Sequence, residues 1–135
     1  MLWQEKFAFG ITIIDEQHKE LFRLIEVTRD LIKEASEGID CYDEIKTVLR
    51  ELESYTIYHF EEEEELLEKI NYAYIDAHKE EHSAFVAKVH ETLDSDLDYH
   101  QEGVLIEIYD FLIKWISNHV LSTDSAYVSE MKEKL

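Results

Sequence analysis

Residues that interrupt helices are almost absent from this sequence. Its 135 residues include no proline and only three glycines, and its apolar residues recur every three or four positions rather than every second position. This periodicity is typical of amphipathic α-helices and not of strands. The sequence therefore predicts an all-α chain. A single domain over residues 1–135 is expected, because this length suits one hydrophobic core.

The apolar pattern predicts four long helices, preceded by an arm at residues 1–14. The first helix is predicted to begin after Asp15, a residue type that favours the N-cap, and to end at Gly38. The other predicted helices cover about residues 41–70, 76–93 and 103–120, with a short fifth helix within 123–134. Amphipathic helices with short connections favour an antiparallel, up-down-up-down four-helix bundle.

Charge and cysteine content indicate which partners and compartments suit the chain. Its 32 acidic and 13 basic residues give a formal net charge of −19, which repels phosphate backbones and anionic lipid headgroups. We therefore expect neither nucleic acid nor a membrane as a partner. The single cysteine, Cys41, cannot form an internal disulfide, which favours a cytoplasmic location. We expect it to be a loop or surface thiol.

Every predicted apolar stripe contains at least one histidine. The five are His18, His59, His78, His82 and His119. A single histidine on an apolar face is usually a core residue with a hydrogen-bond partner. In an up-down bundle, however, all five would lie at the same end. Five buried imidazoles without partners are unfavourable, whereas a metal would satisfy them all.

Helical geometry adds one carboxylate from a run of five glutamates. At about 100° per residue, Glu63 lies only about 40° from His59 on the second helix. The neighbours Glu61, Glu64 and Glu65 point away and are expected to face solvent. Glu63 is therefore the inward member of an otherwise solvated acidic strip.

A second carboxylate, Asp124, requires an irregular helix. It follows His119 by five residues, which is too far round a regular helix to share its face, so a wide turn near Ser122 and Thr123 is needed. Seven candidate metal ligands result: His18, His59, Glu63, His78, His82, His119 and Asp124. Seven ligands exceed the six positions of an octahedral ion and imply two ions. Imidazoles and carboxylates without thiolate suit iron or manganese better than structural zinc.

This ligand order resembles that of the hemerythrins, most closely the short bacterial hemerythrins. The chain has Asp15-Glu16-Gln17-His18, then H-x-x-x-E at 59–63, H-x-x-x-H at 78–82 and H-x-x-x-x-D at 119–124. Other positions that look like the family's are Trp3, Gly10, Phe60, Glu64, Tyr72, Lys79, Glu81, Trp115, Asn118 and Tyr127. The chain departs from the family at Asn71, where glycine is common, and at Ile116, where leucine is usual. The resemblance covers essentially the whole chain.

The resemblance implies a non-heme di-iron centre that binds dioxygen reversibly, for storage, delivery or sensing, in a protein that is not an enzyme. The two irons would be bridged by Glu63, Asp124 and a solvent-derived oxygen. His78, His82 and His119 would complete one iron. His18 and His59 would leave an open position on the other.

A reversible oxygen site must exclude water, so apolar side chains should surround it. The candidates are Leu21, Phe60, Trp115, Ile116 and Leu121, although their helical spacing is equally typical of plain bundle core. We expect His90 and His100 at the surface, and Trp3 to pack the arm against the bundle.

Two other functions remain open at this point. One is a di-iron oxidase or peroxidase, although the Glu-x-x-His motifs of ferritin-like oxidases are not found at the candidate ligand positions. The other is an iron- or oxygen-responsive regulatory module that acts through an unidentified protein partner.

Overall fold

Four long helices form the body of the protein, as the computed structural model shows for residues 2–135. They are α1 (Thr12–Ser36), α2 (Tyr42–Lys69), α3 (Ile75–Leu93) and α4 (Gln101–Asn118). A 3₁₀ turn at Glu5–Phe7 lies in the arm, and a π-helix (His119–Asp124), a 3₁₀ turn (Ser125–Tyr127) and the short helix α5 (Val128–Lys134) follow α4. Residues 2–135 contain no strand, so the predicted all-α class is confirmed. Met1, the first residue of the predicted arm, lies outside the described residues.

The four long helices pack in antiparallel, up-down-up-down order around one core. Helix α1 contacts α2 and α4, and α3 contacts the same two helices. Each long helix contributes fully buried apolar side chains, for example Ile25, Leu52, Phe85 and Leu112. Within residues 2–135, no helix combines the length and the apolar character that crossing a membrane requires.

The start of α1 differs from the prediction. The helix begins at Thr12, before the predicted N-cap residue Asp15. The Asp15 carboxylate instead accepts hydrogen bonds from the backbone N–H groups of Phe9 (2.8 Å) and Gly10 (3.0 Å). Asp15 therefore holds the arm against the first turn of α1. The prediction was wrong because the arm, rather than the helix, supplies the amides that this carboxylate binds.

Helices α1 and α2 end in the same way. Gly38 (φ +82°) and Asn71 (φ +53°) each adopt the left-handed conformation just after a helix. The N–H of Gly38 donates to the carbonyl of Ala35, and the N–H of Asn71 donates to that of Glu68 (both 3.1 Å). These are Schellman endings, in which glycine is favoured and asparagine is tolerated. Asn71 thus takes the backbone role of the glycine that is common at this position.

Two residues outside the helices pack inward. Cys41 lies in the loop before α2, as predicted, but it is 1% exposed and so is not a surface thiol. Its backbone N–H donates to the Gln101 side chain (2.8 Å), which links the start of α2 to the start of α4. Trp3 packs against the core, as predicted. The ammonium of Lys19 lies 4.7 Å from the centroid of its ring.

Candidate metal centre

Seven buried polar side chains meet at one end of the bundle. Each of the seven residues is at most 2% exposed. They come from α1 (His18), α2 (His59, Glu63), α3 (His78, His82) and the π-helix (His119, Asp124). These are the seven residues that the sequence indicated as candidate ligands, and the structure brings all of them together.

The donor atoms form two groups that share Glu63. One group, here called the three-histidine half, comprises Glu63, His78, His82, His119 and Asp124. The other, here called the two-histidine half, comprises His18, His59 and Glu63. Within each group, one ligand atom from every residue lies within 4.8 Å of the others.

Each carboxylate directs its two oxygens toward different halves. Glu63 Oε1 lies 2.7 Å from His78 Nε2, whereas its Oε2 lies 3.6 Å from His59 Nε2. Asp124 Oδ1 lies 2.9 Å from His78 Nε2, whereas its Oδ2 lies 3.2 Å from His18 Nε2. Both carboxylates therefore have the orientation of bridging ligands between two adjacent cation positions.

The π-helix accounts for the position of Asp124. On a regular α-helix, residues five apart point about 140° away from each other. The wider turn of residues His119–Asp124 brings position i+5 close to position i. His119 Nε2 lies 3.0 Å from Asp124 Oδ1. The predicted wide turn near Ser122 and Thr123 is thus confirmed, as a π-helix.

Several buried polar atoms of the cluster lack a hydrogen-bond partner. They are both ring nitrogens of His18, Nδ1 of His78 and both oxygens of Asp124. Such orphaned groups are unfavourable in a dry interior. The Asp124 oxygens lie close to imidazole nitrogens without the alignment that a hydrogen bond needs. A cation in the cluster would satisfy His18 Nε2 and both Asp124 oxygens, although not Nδ1 of His18 or His78, so the inward-facing atoms fit a metal ion.

Three of the five imidazoles have a partner on the ring nitrogen that faces away from the cluster. His59 Nδ1 pairs with the Gln17 side-chain oxygen at 2.6 Å. His82 Nδ1 pairs with Glu64 at 2.7 Å, and His119 Nδ1 pairs with Glu81 at 3.0 Å. Such partners fix the orientation of a ligand ring and the nitrogen that carries its proton.

Glu64 and Tyr127 were not assigned roles from the sequence. Glu64 was expected to face solvent, but its side chain is only 23% exposed and reaches across to His82 on α3. The expectation was wrong because a single-helix angle ignores what the neighbouring helix presents. The Tyr127 hydroxyl donates to Glu63 Oε2 at 2.8 Å. The sequence signal that could have identified these two residues is that both positions resemble those of the family.

Burial and charge shift the protonation of the cluster in opposite directions. Burial lowers the pKa of His59 to about 3, which keeps this imidazole neutral. Burial also opposes the charge on His78, but Asp124 and Glu63 outweigh it and raise its pKa to about 10. Burial opposes ionisation of Glu63, but hydrogen bonds from His78 and His82 lower its pKa to about 2. The raised pKa of His78 thus favours a proton on this imidazole, beside the two buried carboxylates.

Apolar and aromatic side chains surround the cluster. The Phe60 ring stacks on His82 (centroids 3.8 Å apart, 5° between planes). The half-buried Trp115 stacks on His119 (4.3 Å, 14°). Leu21 and Ile116 are each 1% exposed, one helical turn from His18 and His119, respectively.

Leu121 does not belong to this apolar lining. It is 41% exposed, so its prediction as a lining residue was wrong. Two residues after His119, it lies on the outer side of the π-helix. His90 and His100 are exposed, as predicted, and His90 Nδ1 pairs with Glu53 at 2.8 Å.

Comparisons with known proteins agree with this geometry. The family described as "Hemerythrin HHE cation binding domain" matches residues 10–130. A protein named bacteriohemerythrin from Clostridium acetobutylicum is 35% identical over 127 residues, 94% of this chain and 98% of its own. A bacteriohemerythrin from Pseudomonas paraeruginosa is 32% identical over 100% of this chain and 84% of its own. A "Hemerythrin-like protein" from Naegleria gruberi is 27% identical over 93% of this chain and 88% of its own.

Proposed function

Because the chain belongs to the hemerythrin family, we propose that it binds dioxygen reversibly at a non-heme di-iron centre. Oxygen storage, delivery or sensing are the roles that such binding serves. The observation that carries the proposal is the orientation of Glu63 and Asp124. Each of these carboxylates presents one oxygen to the three-histidine half and the other to a histidine of the two-histidine half.

In this proposal the seven clustered residues are the metal ligands. His78, His82 and His119 would hold one iron, and His18 and His59 would hold the other. Glu63 and Asp124 would be shared by both irons, together with a solvent-derived oxygen. Two ferrous ions would supply the two electrons that reversible dioxygen binding uses, with the open position in the two-histidine half. The difference in histidine number between the halves supports this placement.

The protein itself has to exclude water and hold the ligands rigidly. Phe60 and Trp115 cover two imidazoles of the three-histidine half with their ring faces. Leu21 and Ile116 are fully buried within a turn of the cluster. Five imidazoles and two carboxylates also supply less negative charge than carboxylate-rich di-iron sites. This ligand set therefore stabilises high oxidation states of iron less than a carboxylate-rich site does, which favours oxygen binding over oxygen activation. The ligand set thus supports a role other than that of an enzyme.

The remaining parts of the proposal concern the chain as a whole. Residues 1–135 form a single domain, which is consistent with one hydrophobic core. Cys41 has no second cysteine with which to form an internal disulfide, and this supports a reducing, cytoplasmic location. Dioxygen is the ligand proposed for the site.

The proposal is tested by anaerobic reconstitution with Fe(II), followed by cycles of oxygen addition and degassing. We expect two irons per chain and a visible charge-transfer band that forms with oxygen and is lost on degassing. The exposed-histidine variant His90→Ala serves as the matched control and should behave like the native chain. Irreversible conversion to a ferric form, with release of hydrogen peroxide, would overturn reversible binding and favour a redox enzyme. Stable binding of fewer than two irons would overturn the di-iron centre.

A further inference from the structure

The two halves of the cluster differ in the groups behind their histidines. In the three-histidine half, His82 and His119 pair with the carboxylates of Glu64 and Glu81. The Thr123 hydroxyl also donates to Glu81 at 2.9 Å, which holds this carboxylate in place. The outer partners of this half are therefore negatively charged, and Glu81 is also anchored by Thr123.

The two-histidine half has no such charge behind its rings. His59 pairs with the neutral amide of Gln17 at 2.6 Å. Nδ1 of His18 is buried without a partner, and the Phe9 ring lies edge-on to the His18 ring, with centroids 5.6 Å apart. Neither imidazole of this half can donate to a carboxylate through Nδ1.

This difference changes how strongly the rings donate to a cation. An imidazole that binds metal through Nε2 carries its proton on Nδ1. A carboxylate accepting that proton makes the ring more basic and adds negative charge nearby. An amide oxygen orients the ring but adds no charge. Glu64 and Glu81 should therefore stabilise a cation in the three-histidine half more than Gln17 does in the other.

We propose that Glu64 and Glu81 are positioning residues that make the two metal positions unequal, so that the first metal ion enters the three-histidine half. The inference rests on the proposed two-ion site but not on oxygen chemistry. Outer partners of this kind typically change metal affinity about 10- to 100-fold. Repulsion between the ions also weakens the second binding step, so the order of filling is the informative quantity.

Stepwise titration of the metal-free protein with Co(II) under anaerobic conditions tests the order. The readout is the set of exchangeable imidazole N–H signals in proton NMR, which bound Co(II) shifts strongly. Signals lost in the variant His82→Ala mark the three-histidine half, and those lost in His59→Ala mark the other. We expect the first equivalent to shift the His82 signal and only the second to shift that of His59.

Three variants test whether these outer partners cause the order in which the two metal positions fill. Glu64→Gln and Glu81→Gln should each weaken the first binding step at least about tenfold. Gln17→Glu should do the opposite and strengthen binding in the two-histidine half by a similar factor, a gain that a merely structural role would not produce. The matched control is Glu65→Gln. It removes the same charge from an exposed neighbour, and both steps should stay within about twofold of the native values.

The outcomes separate this inference from the proposed function. If the first equivalent of Co(II) shifts the His59 signal, or both signals together, the proposed order of filling is overturned while the two-ion site stands. An unchanged first step in both Glu64→Gln and Glu81→Gln would overturn the role of these carboxylates. If Co(II) fails to bind at two positions, the proposed di-metal centre itself is wrong.

Discussion

The Tyr127 hydroxyl is expected to make a measurable contribution to the stability of the cluster. Tyr127 and Glu63 are both 0% exposed, and the hydroxyl donates to Glu63 Oε2 at 2.8 Å. Tyr127→Phe keeps the ring, which packs edge-on against Phe9 and Tyr72, and removes only the donor. A hydrogen bond to a charged group contributes about 1.5–3 kcal/mol, and the buried carboxylate would lack a replacement donor.

The expected loss translates into a thermal shift that calorimetry resolves. For a domain of this length, 1 kcal/mol corresponds to roughly 4 °C in Tm, so Tyr127→Phe should lower Tm by about 6–12 °C in the presence of excess chelator. The loss should be smaller in the metal-loaded protein, because bound cations then satisfy Glu63.

Tyr58→Phe is the matched control for this substitution. Tyr58 is 49% exposed, and removing its hydroxyl should change stability by less than about 0.5 kcal/mol. Equal Tm values for the two variants in chelator would refute the reasoning. The buried hydroxyl would then contribute no more to stability than a hydroxyl exposed to solvent.

Four further predictions follow from the cluster. His82→Ala should weaken iron binding by more than the roughly tenfold effect typical of outer partners, whereas His90→Ala should retain full iron by elemental analysis; equal losses would contradict the assignment. Because the pKa of His78 is raised to about 10, metal must displace its proton at neutral pH. For each proton that the metal displaces, the apparent metal affinity should therefore rise about tenfold per pH unit between about pH 6 and 8. Titration calorimetry in two buffers measures how many protons are released on metal binding. Ile116→Ala should cost about 2–5 kcal/mol of unfolding free energy and Leu121→Ala under about 1 kcal/mol in urea denaturation; similar costs would mean that both line the core. Chelation should lower Tm, because metal binds the native state, and an unchanged Tm would argue against a buried site.

The helices could be predicted from the sequence because their periodicity is a local property. Each apolar stripe defines an inward face without knowledge of its neighbours, and the up-down order then places five histidines at one end. The left-handed ending at Gly38 was predictable for the same reason. The convergence of all seven candidate ligands therefore follows from periodicity, chain order and one irregular turn.

Contacts between elements could not be predicted in this way. Glu64 points away from Glu63 when α2 is considered alone, yet α3 brings His82 within 2.7 Å of it. Asp15 matched a capping preference, but the arm folds back and occupies its carboxylate. In both cases the hydrogen-bond donor comes from another part of the chain, so the angles between residues around a single helix cannot predict the contact.

Charge balance connects the cluster with its outer partners. Glu63 and Asp124 are buried between the halves, and Glu64 and Glu81 add two carboxylates behind the three-histidine half. Without a cation, the two fully buried carboxylates Glu63 and Asp124 would be uncompensated, which is unfavourable. The partly exposed Glu64 and Glu81 add negative charge that favours a second divalent ion. Without metal, the raised pKa of His78 favours a proton on this imidazole, which offsets part of the buried negative charge. The same carboxylates thus favour two cations when iron is present and protonated imidazoles when it is absent, so metal uptake and proton release should be coupled.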